Sequence, residues 1–542
     1  MPYLNRHGAG HAPNTAGGSA CAVDDWTRLR RFLVLGSEGG RYYASDWTLT
    51  RENATAVERC IRTDGRRAVA EIVRVSDEGR APKSDPALFG LAMAAGLGDA
   101  DARRATLDAL PQVARTGTQL FQFATFVEGF RGWGRSLRRA VGRWYAAQPV
   151  DALADQAVKH RRRGGIQHRD LLRLAHPGQR VSAGNPSVAV TEDHRRLFEW
   201  MVRGRSSDGL PRLVEGFARA QAAQTPAETA RLVADYRLPR EAIRAEHLGA
   251  PDVWTALLAD MPMTELVRNL AKMTRVGVLA PGSAGTVAAV ARLRDAEEIR
   301  CERLDPIALL AALRTYGSAR GVRGRARWTP VAEVVDALDA AFHTAFRNVE
   351  PTGKRLLLAL DVSSSMAWGD IAGVPGVTPR EASTAMALLT AATEPRQEIV
   401  GFLAGGWFRD RGRHRYEGLP DGLTRLKLSP RQRLDDALQV VDDAPFGATD
   451  CALPMLYAQA LEREVDTFVI YTDSETWAGN VHPAQALVEY RRASGIDARL
   501  VVVGMVSNGF SIADPDDPGM LDVVGFDTAT PQLISDFARG AL

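Results

Sequence analysis

The sequence predicts a two-part fold, an α-helical repeat segment followed by a doubly wound α/β domain. Residues 52–350 carry apolar side chains spaced by three and four with short polar or glycine breaks, which is typical of amphipathic helices. From residue 354 onward, short apolar runs rich in β-formers alternate with helical segments, which favours a mostly parallel sheet covered by helices. The chain of 542 residues is too long for one core, because single cores stop growing at about 250–300 residues.

The predicted helices of the first part follow one another without strands between them. Repeated helix pairs of this kind favour an α-solenoid of the HEAT type, which exposes one long concave or ring-shaped surface, although no strict sequence repeat is present. Residues 1–24, rich in Gly, Ala, Asn and Pro, are expected to form a flexible arm. The first six predicted helices cover residues 53–63, 66–76, 85–95, 100–113, 118–129 and 136–147.

The second part alternates strands with helices, so ligands are expected at the carboxyl ends of its strands. Residues 405–430, rich in Gly and Arg, have no assigned place in this pattern. The predicted strands are 356–360, 399–403, 467–471 and 500–503, and the predicted helices are 383–392, 434–441, 452–462 and 483–494.

The most informative stretch follows the first of these strands. The apolar run 356–360 ends in Asp361, and Ser363 and Ser365 follow at alternate positions. One carboxylate and two hydroxyls are hard oxygen ligands of the kind that suit Mg²⁺, which keeps water or a partner's oxygen in its open positions. The pattern D-x-S-x-S resembles the metal-ion-dependent adhesion site of von Willebrand factor A domains.

This resemblance implies two further ligands, a Thr and an Asp, supplied by later loops. Thr449 stands before an apolar helical stretch and Asp473 ends a predicted strand, in the expected order. The resemblance therefore implies a site for a divalent cation, most simply Mg²⁺, formed by Asp361, Ser363, Ser365, Thr449 and Asp473. The alternative interpretation keeps Thr449 as a helix cap and Asp473 as a turn residue.

Charge is distributed unevenly along the chain. Residues 354–542 contain 17 Lys/Arg and 26 Asp/Glu, a balance of −9, whereas the residues before them contain 51 and 39, a balance of +12. A basic first part suggests a polyanion as partner. The alternative is that an arginine-rich composition simply fills solvated helix faces.

The basic residues are densest at 131–176, where 11 Lys/Arg stand against three Asp, together with three His and three aromatic residues. Arginine suits bidentate phosphate contacts, and aromatic or guanidinium planes stack on unpaired bases. The histidines lack metal-ligand spacing and are interpreted as hydrogen-bonding or stacking groups. The segment therefore predicts an RNA or DNA contact surface, with candidate residues Arg135, Arg138, Arg139, Lys159, Arg162, Arg163, His168, Arg169 and His176.

Composition bounds the class of protein. No apolar run approaches the roughly 20 residues of a membrane-spanning helix, and the first residues lack the apolar core of a signal peptide. The four cysteines are far apart and form no C-x-x-C pair, which favours reduced thiols in a cytoplasmic protein. They are Cys21, Cys60, Cys301 and Cys451.

From about Asp25 to its end, the chain resembles the Ro ribonucleoproteins of the TROVE (telomerase, Ro and vault) family. The resemblance implies a ring of HEAT-like helical repeats over residues 25–350 and a von Willebrand factor A-like domain over residues 354–542. It rests on RLRRFL at 28–33 with GSEGG at 36–40, WGRSLR at 133–138, HRDLLRLAH at 168–176, MPMT at 261–264 with RNL at 268–270, EPTGKR at 350–355, TDCALPM at 449–455, TDSET at 472–476, IADPDD at 512–517, GMLD at 519–522 and GFDT at 525–528.

The resemblance also implies a function. Such proteins bind small noncoding Y RNAs on a basic outer surface and take single-stranded ends of misfolded RNAs into a central hole. Lys159, Arg163 and His176 match positions that the family uses for RNA contact. We accordingly expect a monomeric scaffold in RNA quality control or decay, without catalysis of its own, beside a 3′-to-5′ exoribonuclease and with an acidic protein ligand at the metal site.

A rival hypothesis from another class is a metal-dependent hydrolase or nuclease that uses Asp361, Ser363 and Ser365. Two-metal phosphoryl chemistry needs several clustered carboxylates, whereas this site offers two carboxylates and hydroxyls. Magnesium-dependent cleavage by the pure protein, lost on replacement of Asp361, would favour the rival.

Overall fold

The computed structural model of the chain divides into two compact units. We call Phe32–Val34 with Leu49–Ala289 the helical unit, and Met1–Arg31, Leu35–Thr48 and Val290–Leu542 the sheet unit. The structure describes residues 11–13, 19–21, 24–38, 41–44, 48–79, 81–160, 165–177, 190–205, 207–321, 325–371, 374–402, 422–443, 449–473, 481–505, 512–514 and 517–541.

The N-terminal segment contains two short strands that the sequence did not predict. Strands β1 (His11–Pro13) and β2 (Ser19–Cys21) pair antiparallel within the expected flexible arm, whose other residues up to 23 lie outside the described ones. Helix α1 (Asp25–Leu35) and strand β3 (Arg41–Tyr43) follow.

The described residues of the helical unit form α2 (Thr55–Glu78), α3 (Asp85–Leu97), α4 (Ala100–Val113), α5 (Gly117–Glu128), α6 (Arg135–Ala147), α7 (Val150–Lys159), α8 (His168–Ala175), α9 (Glu192–Arg203), α10 (Arg212–Ala222), α11 (Pro226–Tyr236), α12 (Pro251–Asp260) and α13 (Met263–Arg275). Local capping explains several of these boundaries. Asp99 accepts a hydrogen bond from the N–H of Ala102 (2.7 Å) at the start of α4, and Thr116 with Gln119 forms a capping box before α5.

Helix α2 contains the boundary between two predicted helices, 53–63 and 66–76. Asp64 has non-helical dihedral angles (φ −151°, ψ 85°), which kinks the helix between the two segments. Gly65 follows, and a Cβ added there would lie 2.5 Å from Cβ of Ala102 on α4. Only a residue without a side chain allows α2 and α4 to approach this closely.

The sheet unit is organised around a sheet whose further strands are β4 (Leu356–Asp361), β5 (Gln397–Phe402), β6 (Leu423–Arg425), β7 (Thr467–Thr472), β8 (Arg499–Gly504) and β9 (Met520–Val524). In the described residues the strand order is β3-β9-β8-β7-β4-β5-β6, and all neighbours run parallel except β5 and β6. The four predicted strands correspond to β4, β5, β7 and β8. The unassigned stretch 405–430 supplies the edge strand β6, and its residues up to 421 lie outside the described ones.

The remaining helices are α14 (Ala284–Leu293), α15 (Ala296–Cys301), α16 (Pro306–Gly317), α17 (Ala332–Ala345), α18 (Pro379–Thr393), α19 (Leu434–Asp442), α20 (Leu453–Ala460), α21 (Pro483–Ser494) and α22 (Thr530–Arg539). Met455 on α20 and Leu487 and Tyr490 on α21 share a buried core with Phe468 of β7. The four predicted helices of this part correspond to α18–α21. Of the helices that the structure describes, none has the length and apolar character needed to cross a membrane.

Residues 290–350, which the sequence analysis assigned to the helical repeats, belong to the sheet unit. On α16, Arg314 forms ion pairs with Asp435 (2.8 Å) and Glu381 (3.1 Å). On α17, Nε2 of His343 lies 2.9 Å from the carbonyl oxygen of Gln432. These polar contacts fasten α16 and α17 to α18, α19 and the segment before α19.

Candidate metal centre and nucleic-acid surface

The candidate metal centre lies at the carboxyl edge of the sheet. Strand β4 ends at Asp361 and its parallel neighbour β7 ends at Thr472. The register pairs Leu360 with Tyr471, so the following residues of both strands leave the sheet side by side. This is the edge at which a doubly wound sheet places its ligands.

Asp361 is 1% exposed and is the centre of this site. Its Oδ1 accepts from the backbone N–H of Ser363 (2.8 Å), and its Oδ2 accepts from the hydroxyls of Thr472 (2.9 Å) and Thr449 (3.2 Å). Burial raises the pKa of Asp361, hydrogen bonds from Ser363 oppose this rise, and the charge of Asp473 adds to it. Three loops therefore converge on one buried carboxylate.

The other predicted ligands surround this carboxylate. The hydroxyl oxygens of Ser363 and Ser365 lie 2.9 Å apart, and Ser363 is buried whereas Ser365 is exposed. Asp473 is partly exposed and lies near enough to influence the pKa of Asp361. The structure therefore brings all five predicted residues, Thr449 included, to one edge of the sheet.

The donor set fits a hard divalent cation. Asp361 and Asp473 supply carboxylate oxygens, and the surrounding Ser and Thr residues supply neutral hydroxyl oxygens, as Mg²⁺ requires. Among the residues that the structure describes, no three His, Cys, Asp or Glu side chains are grouped to hold a metal ion. Any cation at this edge must therefore depend on the hydroxyls as well as the carboxylates.

Two residues that the sequence analysis missed shape this centre. Thr472 is the last residue of β7, and its position at the carboxyl end of a predicted strand could have identified it as a site residue. Arg380 on α18 is buried, and its guanidinium donates to the carbonyl oxygens of Val362 (3.2 Å) and Ser363 (2.8 Å) and to Asp442 (2.5 Å). Arg380 thereby fixes the loop after β4, but nothing in the sequence near Asp361 indicates that this arginine belongs to the site.

On the helical unit, α6 separates its basic and apolar residues onto opposite faces. Trp144 and Tyr145 are fully buried, whereas Arg135 and Arg139 are exposed and stand one turn apart. Neither of these two arginines forms an ion pair with any residue that the structure describes. Arg138 is half-buried beside them. The helix therefore presents free positive charge to solvent.

Two other predicted contact residues are ion-paired. Lys159 at the end of α7 lies 3.1 Å from Asp155, one turn earlier. Arg169 on α8 lies 3.7 Å from its neighbour Asp170. All four side chains remain at least 30% exposed, so these pairs are weak and open to exchange with a phosphate.

His176 is exposed and ends α8 in the left-handed conformation (φ 45°). Arg162 and Arg163 lie outside the described residues.

His168, predicted to contact nucleic acid, is a core residue instead. It is 4% exposed, its Nδ1 lies 2.9 Å from the hydroxyl of Tyr145, and its ring meets Phe121 edge-on with centroids 4.7 Å apart. Burial lowers the pKa of His168 to about 4, and the nearby His160 adds to this. The neutral ring fastens α8 to α6. Because the ring is buried, it cannot make direct contact with a nucleic acid.

The fold and the site together define a helical-repeat protein that carries a von Willebrand factor A-type domain. Two known protein families match this chain. The TROVE domain matches residues 12–203 and 231–315, and the Ro60 vWA domain matches residues 355–538. The chain belongs to the Ro60 family.

Individual relatives agree over nearly the whole chain. The RNA-binding protein RO60 of Deinococcus radiodurans is 42% identical, covering 99% of this chain and 97% of the relative. The RNA-binding protein RO60 of Caenorhabditis elegans is 34% identical, covering 98% and 91%. The crystal structure of the Deinococcus radiodurans RO (RSR) protein superposes with a TM-score of 0.85 at 42% identity, covering 96% of this chain and all of the other.

Proposed function

We propose that this protein binds RNA in the manner of the Ro proteins. Two relatives that are similar over almost their full length are named RNA-binding proteins, which supports the proposal. The observation that carries it is the exposed pair Arg135 and Arg139, which have no ion-pair partner among the described residues. An unpaired guanidinium retains its full charge for bidentate contact with phosphate.

The finer parts of the function are predictions. We expect the RNA partners to be Y RNAs and misfolded RNAs with single-stranded ends. The protein would act in the cytoplasm as a monomeric scaffold for quality control or decay, next to a 3′-to-5′ exoribonuclease, and would have no catalysis of its own. RNA recovered by crosslinking from cells and sequenced identifies the partners directly.

The basic face of α6 is tested by the salt dependence of binding. We expect single-stranded RNA to bind with an affinity that falls steeply with salt, because phosphate contacts release counterions. The double variant Arg135→Gln/Arg139→Gln should weaken binding and reduce the slope of log K against log [salt] by about 0.7 for each lost contact. Fluorescence anisotropy at several KCl concentrations measures both quantities.

The matched control is Arg62→Gln/Arg74→Gln, which removes the same charge from α2. Those arginines already pair with Glu58 (2.8 Å) and Glu71 (2.5 Å), so the salt slope should stay unchanged. Absence of RNA binding by the wild type would refute the proposed function. An equal loss in both double variants would refute only the role of α6.

The carboxyl edge of the sheet is the proposed site for a divalent cation, most simply Mg²⁺. Asp361, Ser363, Ser365, Thr449 and Asp473 would hold it, and the ion would supply positive charge for an acidic group of a partner protein. Asp361→Ala should abolish Mg²⁺ binding in calorimetry while RNA affinity stays close to that of the wild type. Retained Mg²⁺ binding would reject the site, and Mg²⁺-dependent RNA cleavage lost in this variant would support the hydrolase alternative.

A further inference from the structure

A pocket in the helical unit is unexplained by the contacts described so far. It lies between α7, α11, α12 and α13 and has a volume of about 120 Å³. One water needs about 10–15 Å³ on this measure, so the pocket holds a group much larger than water but smaller than a drug-sized ligand. Its walls include the buried apolar side chains of Val233, Leu257 and Met261, which provide apolar contact surface.

Glu265, in the first turn of α13, is the unusual polar group of this pocket. Two other acids of the lining have cationic neighbours: Asp155 lies 3.1 Å from Lys159, and Asp260 lies 3.9 Å from Arg237. The carboxylate of Glu265 makes no hydrogen bond and no ion pair with any residue in the described part of the chain. It is therefore an acceptor that faces the pocket with both oxygens available.

The surroundings of Glu265 are electrostatically mixed. Burial raises its pKa and Glu241 adds to this, whereas the positive charges of Lys159, Arg240 and Arg268 lower it. An acid in the first turn of a helix is common, because it complements the helix dipole. That interaction needs no pocket, however, and does not explain why the carboxylate is partly buried beside apolar walls and cations.

We infer that this pocket receives one unpaired guanine base of a bound RNA, with the carboxylate of Glu265 accepting from its N1–H and N2–H groups. The inference rests on the proposed RNA binding and adds a base preference to it. Guanine places two donors side by side, and a carboxylate accepts both in a bidentate arrangement. The O6 acceptor of the same base then faces the cationic side chains of Lys159 or Arg240.

The other bases fit this pocket less well. Adenine and cytosine offer one amino donor next to a ring-nitrogen acceptor, and uracil flanks its single N–H with two carbonyl oxygens, so each brings an acceptor against the carboxylate. A phosphate group would be repelled by Glu265. Unpaired bases are commonly recognised through this Watson–Crick edge, with the ring packed on side chains. Arg237 is 81% exposed and its contact with Asp260 is long (3.9 Å), so it can exchange that weak pair for a backbone phosphate.

The test uses the full chain and a labelled uridine oligomer of about ten nucleotides, a length within the usual range for single-strand sites. Versions with one central guanosine, adenosine, cytidine, inosine or N1-methylguanosine are compared by fluorescence anisotropy. The guanosine version should bind about tenfold tighter than the uridine-only oligomer, the size of effect that one bidentate base contact provides. Inosine, which lacks the N2 amino group, should be intermediate, and N1-methylguanosine should lose the preference.

The variant Glu265→Gln should bring the ratio of guanosine to uridine affinity close to one, because an amide offers one donor and one acceptor. Glu333→Gln removes the same charge from an exposed position on α17 in the sheet unit and should keep the wild-type ratio. No guanosine preference in the wild type, or a preference that survives Glu265→Gln or N1-methylation, overturns the inference and leaves RNA binding standing. Failure of every oligomer to bind overturns RNA binding as well. Should Glu265→Gln not fold, the N1-methylguanosine comparison on the wild type decides.

Discussion

Replacement of Arg380 by methionine is expected to destabilise the sheet unit strongly. The guanidinium is buried and donates to the carbonyl oxygens of Val362 (3.2 Å) and Ser363 (2.8 Å). Both of those residues are themselves buried. Methionine keeps most of the apolar stem of arginine and offers no donor, so both acceptors lose the hydrogen bond from Arg380 while packing changes little.

The magnitude follows from these contacts. A buried acceptor left without a partner costs about 1–3 kcal/mol, and this applies to the carbonyl of Val362. The carbonyl of Ser363 keeps a hydrogen bond from the N–H of Met366 (3.2 Å), so it loses one hydrogen bond worth about 1 kcal/mol. Asp442 also loses its partner, but its side chain is 47% exposed, so water replaces most of that interaction. The expected loss is therefore about 2–4 kcal/mol of unfolding free energy.

Chemical denaturation followed by circular dichroism measures the loss, and hydrogen exchange of residues 356–366 shows whether it is centred on the loop after β4. Arg425→Met is the control: Arg425 is 49% exposed, and its partner Glu398 keeps a hydrogen bond from Tyr457 (2.6 Å). This variant should lose less than about 1 kcal/mol. An Arg380→Met protein whose unfolding free energy lies within about 1 kcal/mol of the wild-type value would refute the role of Arg380 in holding the loop after β4.

Two ionisable groups, the partly buried Asp305 and the buried His168, give opposite pH dependences. Burial raises the pKa of Asp305 to about 7. Its contribution to stability is therefore fully present below about pH 3.8 and is lost as the pH rises to about 7. The comparison is Asp305→Asn, which still caps α16: relative to this variant, the wild type should lose about 4 kcal/mol of unfolding free energy across that range. A constant difference between the two proteins would contradict this. Burial lowers the pKa of His168 to about 4, so its stability contribution is present above about pH 6.5 and is lost as the pH falls through 4, about 3 kcal/mol in all. An NMR titration of His168 with a midpoint near 6.5 would contradict the buried placement.

The sequence predicted most of the sheet because the central strands are long and apolar. Strands β4, β5, β7 and β8 each span six residues, enough for a clear pattern between turn signals. The missed strands β3, β6 and β9 span three to five residues. Strand β3 pairs Tyr42 with Val523, a partner from the far end of the chain, and local periodicity carries no information about such a pairing.

The candidate metal centre was predictable to the extent that its residues share a motif. Asp361, Ser363 and Ser365 are close in sequence, and the D-x-S-x-S pattern made the later Thr and Asp identifiable. Arg380 was not, because its role depends on how α18 packs against the loop after β4. Arginine in a helix ordinarily indicates a solvated face, so the one buried beneath this loop is visible only in the structure.

Arginine density in the sequence does not distinguish free cations from ion-paired ones, and the structure adds this distinction. Helix α2 is rich in arginine, but Arg62 and Arg74 lie within 2.8 Å of Glu58 and Glu71. On α6, Arg135 and Arg139 have no acid at the neighbouring helical positions, and the structure provides none from elsewhere in its described residues. A phosphate that meets α2 must displace a carboxylate, whereas one that meets α6 displaces only water and counterions. Affinity for RNA should therefore depend more on the unpaired cations of α6 than on the ion-paired arginines of α2, as the two double variants will show.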